Sequence, residues 1–200
     1  MTSQLLNRYR RLLTLAEAGL FYGKDEFDKE RYQELKEISL ELLANISAEP
    51  LEELEKLFDK SEGYPTPKID VRAFIKHKDK ILLVEDTNTK EWSLPGGYAE
   101  VGFSPKENII KEVFEETGMS VTVDKLLAVF DTDLREDIPQ LFQYYKLIFG
   151  CTIVSGSFQN NLETSNLGFF NFHELPKLSK QRTTKEQLIM LNKRSTTYFD

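Results

Sequence analysis

The stretch that decides the fold runs from Trp92 to Met119 and holds two pieces. The first is the loop Leu94-Pro95-Gly96-Gly97, and the second is the segment SPKENIIKEVFEETG at residues 104–118. Adjacent glycines permit unusual backbone angles and allow a ligand to approach the main chain closely. In the second piece Ser104 can cap a helix, Pro105 suits its first turn and Gly118 suits its end. The sequence therefore predicts a glycine-rich loop followed by a helix over residues 104–117.

The predicted helix has an acidic side next to an apolar side. At about 100° per residue, Glu112, Glu115 and Glu116 share an arc of about 100°. Like charges three and four residues apart repel one another, and a divalent cation offsets that repulsion. Carboxylate oxygens are the ligands that Mg²⁺ and Mn²⁺ prefer. The helix alone is equally compatible with an acidic surface in contact with water.

The loop and the helix together resemble the Nudix box. Gly97 is followed by Lys111-Glu112-Val113-Phe114-Glu115-Glu116-Thr117-Gly118-Met119, and the box ends in Arg-Glu-apolar-x-Glu-Glu-x-Gly-apolar. The spacing from Gly97 to the paired glutamates matches without an insertion. The later Gly168-Phe169-Phe170 and Glu174-Leu175-Pro176 are similar to the family as well. The resemblance covers residues 69–180 and implies a Nudix α/β/α sandwich with a mixed sheet.

Two positions depart from the box. Phe103 stands where the family has its first glutamate, and Lys111 stands where it has arginine. Lysine keeps the positive charge but loses the planar fork with which arginine binds a carboxylate. Glu100, on the same loop, either substitutes in part for the missing glutamate or faces solvent.

The resemblance implies which residues form the site. It places a metal ion, Mg²⁺ or Mn²⁺, on the Glu112, Glu115 and Glu116 side chains and on the Gly96 carbonyl. It makes Glu115 or Glu116 the general base, with Glu163 as the candidate from a distant loop, where a plain loop acid is the alternative. We predict a set of substrate-binding residues: Trp92, Gly97, Tyr98 and Lys111. For the aromatic residues, packing in the core is the alternative.

The resemblance narrows to a bacterial subgroup because a helical segment precedes the box. Members of that subgroup cut nucleoside diphosphates linked to a group X, such as ADP-ribose, CDP-choline or UDP-sugars, into a nucleoside monophosphate and phospho-X. A MutT-type nucleoside triphosphate pyrophosphatase is one alternative. A catalytically silent nucleotide-binding module is another, which Phe103 and Lys111 favour and the three retained glutamates oppose.

The chain divides at a segment rich in proline and glycine. Up to residue 60, apolar residues recur every three or four positions, which predicts helices. The segment at residues 60–67 has two prolines and a glycine, and alternating apolar residues typical of strands follow it. We predict a helical domain at residues 1–62 and a Nudix domain at residues 68–200. The resemblance implies a homodimer, in which the helices dimerise or line the pocket; otherwise they only cover the domain's own apolar surface.

Composition limits the partners. The chain has 200 residues and a formal net charge of −7, which disfavours nucleic acid and membrane surfaces because both are anionic. A small nucleotide whose charge is screened by a cation stays compatible. The single cysteine, Cys151, excludes a disulfide within the chain and suits a reducing cytoplasm. No stretch approaches the ~20 apolar residues that span a bilayer.

Overall fold

The computed structural model of the chain describes residues 2–47, 49–59, 63–135, 138 and 140–200. These form two compact units. One comprises Met1–Pro67 with Asp133–Gln143, and the other comprises Lys68–Thr132 with Tyr144–Asp200. The predicted division at residues 1–62 and 68–200 stays a prediction, and the start of its linker, residues 60–62, lies outside the described residues.

The helical unit contains α1 (Thr2–Tyr22), α2 (Glu26–Ile46) and α3 (Leu51–Asp59). Asp25 caps α2 by accepting a hydrogen bond from the Asp28 N–H. The apolar sides of the helices form one core, whose buried members are Leu6, Leu13, Leu40, Leu43, Leu54 and Phe58. Phe142 packs on this core, with its ring centroid 5.1 Å from that of Phe58. The segment at residues 133–143 is therefore an integral part of the helical unit.

The second unit is built on a mixed sheet. Its strands are β1 (Lys68–His77), β2 (Lys80–Asp86), β3 (Trp92–Ser93), β4 (Met119–Asp131), β5 (Tyr144–Gly156), β6 (Thr164–Asn171) and β7 (Tyr198–Phe199). Their order is β3-β2-β1-β5-β4-β7, and β6 pairs with β2. The β1–β5 and β4–β7 pairs are parallel, whereas the other pairs are antiparallel.

Two helices cover the sheet, α4 (Pro105–Thr117) and α5 (Lys185–Lys193). Successive side chains of a strand point to opposite faces, so one strand can serve two cores. In β2, Leu82 packs in the cluster that contains Val113 of α4, and Leu83 packs in the cluster that contains Leu188 of α5. The two helices thus lie on opposite faces of the sheet, and the predicted α/β/α sandwich is confirmed.

Among the residues that the structure describes, no helix combines the length and apolarity needed to cross a membrane.

Candidate active site

Helix α4 begins and ends where the sequence predicts. The Ser104 hydroxyl accepts from the Glu107 N–H at 3.3 Å, and the Glu107 carboxylate accepts from the Ser104 N–H at 2.8 Å. This reciprocal pair satisfies two N–H groups that the first turn cannot satisfy itself. Gly118 ends the helix in the left-handed conformation, at φ +71°. The position and rotation of the acidic side are therefore fixed by local sequence.

The glycine loop lies along β1. The Val71 N–H donates to the Gly97 carbonyl and the Ala73 N–H donates to the Pro95 carbonyl, both at 2.8 Å. Gly96 has φ +135°, and a Cβ there would collide with the Val71 carbonyl oxygen. Glycine is therefore required at residue 96 both for its backbone angle and for its packing.

Glu116 joins the helix to this loop. Its Oε2 accepts a hydrogen bond of 2.8 Å from the Gly96 N–H, and the residue is only 9% exposed. Burial raises the pKa of Glu116 to about 7, against the opposing effect of the positive charge on Arg72. A nearby cation would therefore strongly stabilise the ionised form of this buried carboxylate.

Glu112 is the second carboxylate that faces inward. It is half-buried beside Gly97, and a Cβ on that glycine would stand 2.7 Å from Glu112 Oε2. Burial raises the pKa of Glu112, while the Arg72 charge lowers it and the charges of Glu115 and Glu163 raise it further. Two partly desolvated carboxylates thus lie one helical turn apart next to the glycine loop.

Arg72 of β1 is a buried cation in this region, and the sequence analysis missed it. Its Nε donates to Asp70 Oδ1 at 2.8 Å and its Nη1 donates to the Leu94 carbonyl at 3.2 Å. Burial lowers the pKa of Arg72, but the negative charges of Asp70, Glu116 and Glu112 outweigh that effect and raise it. The signal was available: Arg72 is the one charged residue in the otherwise apolar run Val71–Ile75.

Glu115 does not join the other two glutamates. Lys111 Nζ donates to Glu115 Oε2 at 2.8 Å and to Glu100 Oε1 at 3.1 Å, and this group lies toward solvent. Because the ion pair holds Glu115 outward, the predicted arc splits into an inner pair and an outer carboxylate. Within the described part of the chain, no group of three His, Cys, Asp or Glu residues is close enough to hold a metal ion. Glu100 pairs with Lys111 in this solvent-facing group.

Glu163 lies on a loop that is tied to the end of α4. Asn161 makes the connection: its Nδ2 donates to the Glu116 carbonyl at 2.9 Å, and its Oδ1 accepts from the Glu163 N–H at 3.0 Å. The Glu163 carbonyl accepts from the Thr87 N–H at 2.8 Å. The negative charge of Glu163, the predicted candidate from a distant loop, also raises the pKa of Glu112.

Asn108 fixes the connection between the glycine loop and α4. It is buried; its Oδ1 accepts from the Glu100 N–H at 2.8 Å, and its Nδ2 donates to the Phe103 carbonyl at 3.2 Å. The sequence analysis assigned no role to Asn108 or to Asn161. An amide side chain can satisfy main-chain donors and acceptors together, which suits both residues to holding a loop.

The two aromatic residues predicted to bind substrate differ in their surroundings. Tyr98, next to Gly97, is exposed and stacks on Tyr144 with ring centroids 5.4 Å apart and an interplanar angle of 13°. Trp92 packs edge-on against Phe170 at 4.7 Å and belongs to the core on the α5 side. Tyr98 therefore offers an aromatic ring beside the loop, whereas Trp92 supports the fold around it.

The donor chemistry fits a divalent metal ion. Glu112 and Glu116 supply carboxylate oxygens whose ionised forms burial disfavours, so a cation bound there would stabilise them. The fit rests on two inward carboxylates and the adjoining loop carbonyls, since the third glutamate is held by Lys111.

Comparison with known proteins identifies the family. The NUDIX domain model matches residues 66–191, so the chain belongs to the Nudix family and is an enzyme of its hydrolase class. A second model, described as a UDP-X-like, N-terminal oligomerisation domain, matches residues 3–58. The predicted family is thus confirmed. Enzymes of this family generally use a divalent metal ion and act on small nucleotides.

Particular relatives cover most of the chain. The putative ADP-ribose pyrophosphatase YjhB of Bacillus subtilis (strain 168) is 41% identical over 186 residues, which are 93% of this chain and 89% of that protein. The crystal structure of a UDP-X diphosphatase matches with a TM-score of 0.65 and 41% identity, and covers 100% of this chain and 99% of its own. An ADP-ribose pyrophosphatase from Streptococcus suis 89-1591 matches with a TM-score of 0.60 and 39% identity, over 68% and 100% of the two chains.

Proposed function

We propose that the protein is a Mg²⁺-dependent pyrophosphatase that hydrolyses the diphosphate of a nucleoside diphosphate linked to X, such as ADP-ribose, CDP-choline or a UDP-sugar. The products are a nucleoside monophosphate and phospho-X. The observation that carries the proposal is the pair of inward glutamates, Glu112 and Glu116, held against Gly96 and Gly97. This arrangement offers two oxygen-donor side chains beside a main chain that a phosphate can approach closely.

The relatives support this substrate class over a nucleoside triphosphate. A UDP-X diphosphatase and an ADP-ribose pyrophosphatase resemble the chain at 41% and 39% identity, and the first does so along its whole length. MutT proteins match at 22% and 21% identity, which indicates the shared fold alone. The helical segment, with its UDP-X-like match, points to the same subgroup.

In the proposed site Glu112 and Glu116 would hold the metal ion together with the Gly96 carbonyl. Glu115 would complete the set if its carboxylate exchanged Lys111 for the ion. When bound, a divalent ion neutralises the pyrophosphate oxygens and lowers the pKa of a bound water. Glu115, Glu116 and Glu163 are the carboxylates proposed to take the proton of the attacking water. Glu163 has the advantage that Asn161 fixes its loop to α4 without occupying its side chain.

The substrate's organic parts are proposed to lie against Tyr98, with Gly97 and Lys111 near its phosphates. A base or ribose can pack on the exposed Tyr98 ring, which Tyr144 supports from behind. Trp92 was predicted to contact substrate; we propose that it acts by supporting β3 and the start of the loop.

The test is a substrate panel. We would measure hydrolysis of ADP-ribose, CDP-choline, UDP-glucose and 8-oxo-dGTP with Mg²⁺ or Mn²⁺, for the wild type and Glu116→Gln. Cleavage of a diphosphate linkage that falls by at least about 100-fold in the variant supports the proposal. The matched control is Glu186→Gln on α5, which makes the same charge change on the opposite face and should keep full activity.

Two other outcomes of this panel would each support one of the alternative functions. Cleavage of 8-oxo-dGTP alone would indicate a MutT-type enzyme. No cleavage with either metal, but a thermal shift with one of the nucleotides, would indicate a silent binding module.

We also propose that the protein forms a homodimer through the helical unit and works in the cytoplasm. The family model that matches residues 3–58 describes an oligomerisation domain. Several large apolar side chains of this unit are exposed: Leu15, Phe21, Tyr22, Phe27 and Ile38. Burying such side chains against a second copy would stabilise a dimer.

A further inference from the structure

A second arginine, Arg182, lies between the end of the sheet and α5 and has no role in the site described so far. Its Nη1 donates to Asp86 Oδ2 at 2.8 Å. Asp86, the last residue of β2, is held in turn: its Oδ1 accepts from the Asn88 N–H at 2.9 Å and from the Thr89 N–H at 2.8 Å. The Asp86 carboxylate that accepts from the Arg182 guanidinium is therefore itself held in place by two N–H groups of the following turn.

The backbone around Arg182 is fixed as firmly as its side chain. Lys146 is buried, and its Nζ donates to the Arg182 carbonyl and, at 3.3 Å, to the Gln181 carbonyl. The buried Thr183 hydroxyl accepts from the Leu94 N–H at 3.0 Å. The same ammonium group lies 4.0 Å from Asp70 Oδ2, so the segment around Arg182 is tied to the charged residues of β1. Two buried polar side chains, those of Lys146 and Thr183, thus hold the main chain at Arg182 and next to it.

Two hydrogen-bonded connections join the surroundings of Arg182 to the acidic site. Leu94, which binds Thr183, starts the loop whose Gly96 binds Glu116. Thr87, which follows Asp86, binds the Glu163 carbonyl.

The guanidinium has binding capacity left. Its side chain is 44% exposed, and within the described residues it makes one hydrogen bond. Four of its five N–H groups are therefore available as donors to a ligand. A chain of net charge −7 whose site is lined by glutamates repels an anionic substrate unless cations oppose that repulsion. Arg72 is buried and occupied by Asp70 and Leu94, whereas Arg182 is open.

We infer that Arg182 binds the phosphate oxygens of the substrate and that Asp86 is the positioning residue that orients its guanidinium. A planar guanidinium can donate two parallel hydrogen bonds to one phosphate, which a lysine cannot. This inference rests on the proposed function for the identity of the substrate, but its binding step can be measured without hydrolysis.

The experiment measures binding of imidodiphosphate, a non-hydrolysable pyrophosphate, in the presence of Mg²⁺ by isothermal titration calorimetry. The proteins are the full-length wild type, Arg182→Gln, Arg182→Lys and Asp86→Asn. The control is Lys177→Gln, which removes one positive charge from the same loop, where Lys177 pairs with Glu91 at 3.1 Å. Thermal unfolding of each protein shows whether it is folded.

We expect Arg182→Gln to weaken binding by about tenfold or more, because a hydrogen bond to a charged group is lost. Arg182→Lys should restore part of that loss, and Asp86→Asn should weaken binding while leaving the guanidinium in the protein. Lys177→Gln should bind like the wild type. Substrate kinetics should show the same order in KM.

Unchanged affinity in both Arg182→Gln and Asp86→Asn would overturn the inference, and so would an equal loss in Lys177→Gln. If Arg182→Gln does not fold, the comparison of Arg182→Lys and Asp86→Asn with the control decides. A wild type that binds imidodiphosphate through Arg182 but hydrolyses no diphosphate would refute the proposed function and keep this inference. If the wild type hydrolyses the substrate and neither binding nor KM depends on Arg182, the proposed function is kept and this inference is refuted.

Discussion

Gly97 leaves room for Glu112: a Cβ atom on the glycine would stand 2.7 Å from Glu112 Oε2. The carboxylate and the loop therefore share one small space, and the smallest residue is needed for Glu112 to face inward. Gly96, its neighbour, meets backbone and not a side chain, because a Cβ there would collide with the Val71 carbonyl. The two glycines are needed for different reasons.

The first prediction is that Gly97→Ala lowers activity while the protein still folds. The methyl group displaces the flexible end of Glu112, so we expect a loss of about 10- to 100-fold in metal affinity or rate. Metal titration of the hydrolysis rate, with thermal unfolding alongside, measures both. Gly150→Ala is the control, since its Cβ makes an ordinary contact of 3.4 Å with Leu127. Gly96→Ala should instead prevent stable folding; a folded, inactive Gly96→Ala protein would contradict this distinction.

The second prediction concerns pH and stability in EDTA. The pKa of Glu116 is about 7 in the folded protein and 4.5 as the ordinary value. The folded state thus binds more protons between these pH values, so stability is highest below pH 4.5 for this group and falls as pH rises to about 7. At about 1.4 kcal/mol per pH unit over the roughly 2.5 units between these values, the upper bound of this loss is about 3–4 kcal/mol.

Glu116→Gln removes the titrating group and keeps an acceptor for the Gly96 N–H. We expect the variant to be more stable than the wild type in EDTA at pH 8, by about 1–3 kcal/mol in urea unfolding, with the difference shrinking steadily as the pH is lowered through 5 toward 4. Equal stability at both pH values would contradict the pKa shift.

The third prediction concerns Lys111, whose positive charge lowers the pKa of Glu112. Removing that charge in Lys111→Ala should raise the pKa of Glu112 and move the acid limb of the pH–rate profile to higher pH. Lys111→Arg should leave the limb in place, because the charge remains. Lys106→Ala on the same helix controls for net charge. An acid limb that moves equally in the Lys106 variant would show that the effect is not local.

The fourth prediction separates two loop acids. Glu163→Gln should reduce kcat by about 100-fold or more if its carboxylate is the general base. Glu100→Gln should change kcat by less than about threefold, because Glu100 pairs with Lys111 toward solvent. The comparison is made at saturating substrate and metal. A larger loss in Glu100→Gln than in Glu163→Gln would reverse the assignment.

The fifth prediction is a dimer of chains of 23.2 kDa each. Sedimentation at micromolar concentration should give twice this mass. The double variant Phe21→Glu with Phe27→Glu should sediment as a single chain, because charge replaces two exposed apolar side chains of the helical unit. Val154→Glu places the same charge on an exposed residue of the sheet unit and should leave the dimer intact.

The elements that the sequence predicted well are those that neighbouring residues determine. The helix from Ser104 to Gly118 is specified by a capping box at one end and a left-handed glycine at the other, so its bounds were accurate. For β4 the apolar pattern predicts a strand only over residues 126–130, whereas the strand runs from Met119 to Asp131. Its register shifts three times against β5, and such bulges interrupt the alternation that identifies a strand.

The site was predicted only in part, because some of its contacts join residues that are distant in the chain. A helical wheel places Glu112, Glu115 and Glu116 on one side but does not show that Lys111 draws Glu115 outward. Arg182 was missed because its partner, Asp86, lies 96 residues away in the chain, and the hydrogen bond from Arg72 to the Leu94 carbonyl likewise spans 22 residues. Only the folded structure brings those residues together.

The helical unit also has a consequence for synthesis of the chain. Its core is closed partly by Phe142, and Arg10 of α1 pairs with Asp133 at 2.8 Å, so its contacts join residues more than 120 positions apart. The three helices precede the sheet in the chain, yet they cannot bury this part of their core until β1 to β4 have been made. Contacts so distant in sequence form late, because closing a long loop must precede them. The helical unit is thus expected to reach its final packing only after the strands that follow it have been synthesised.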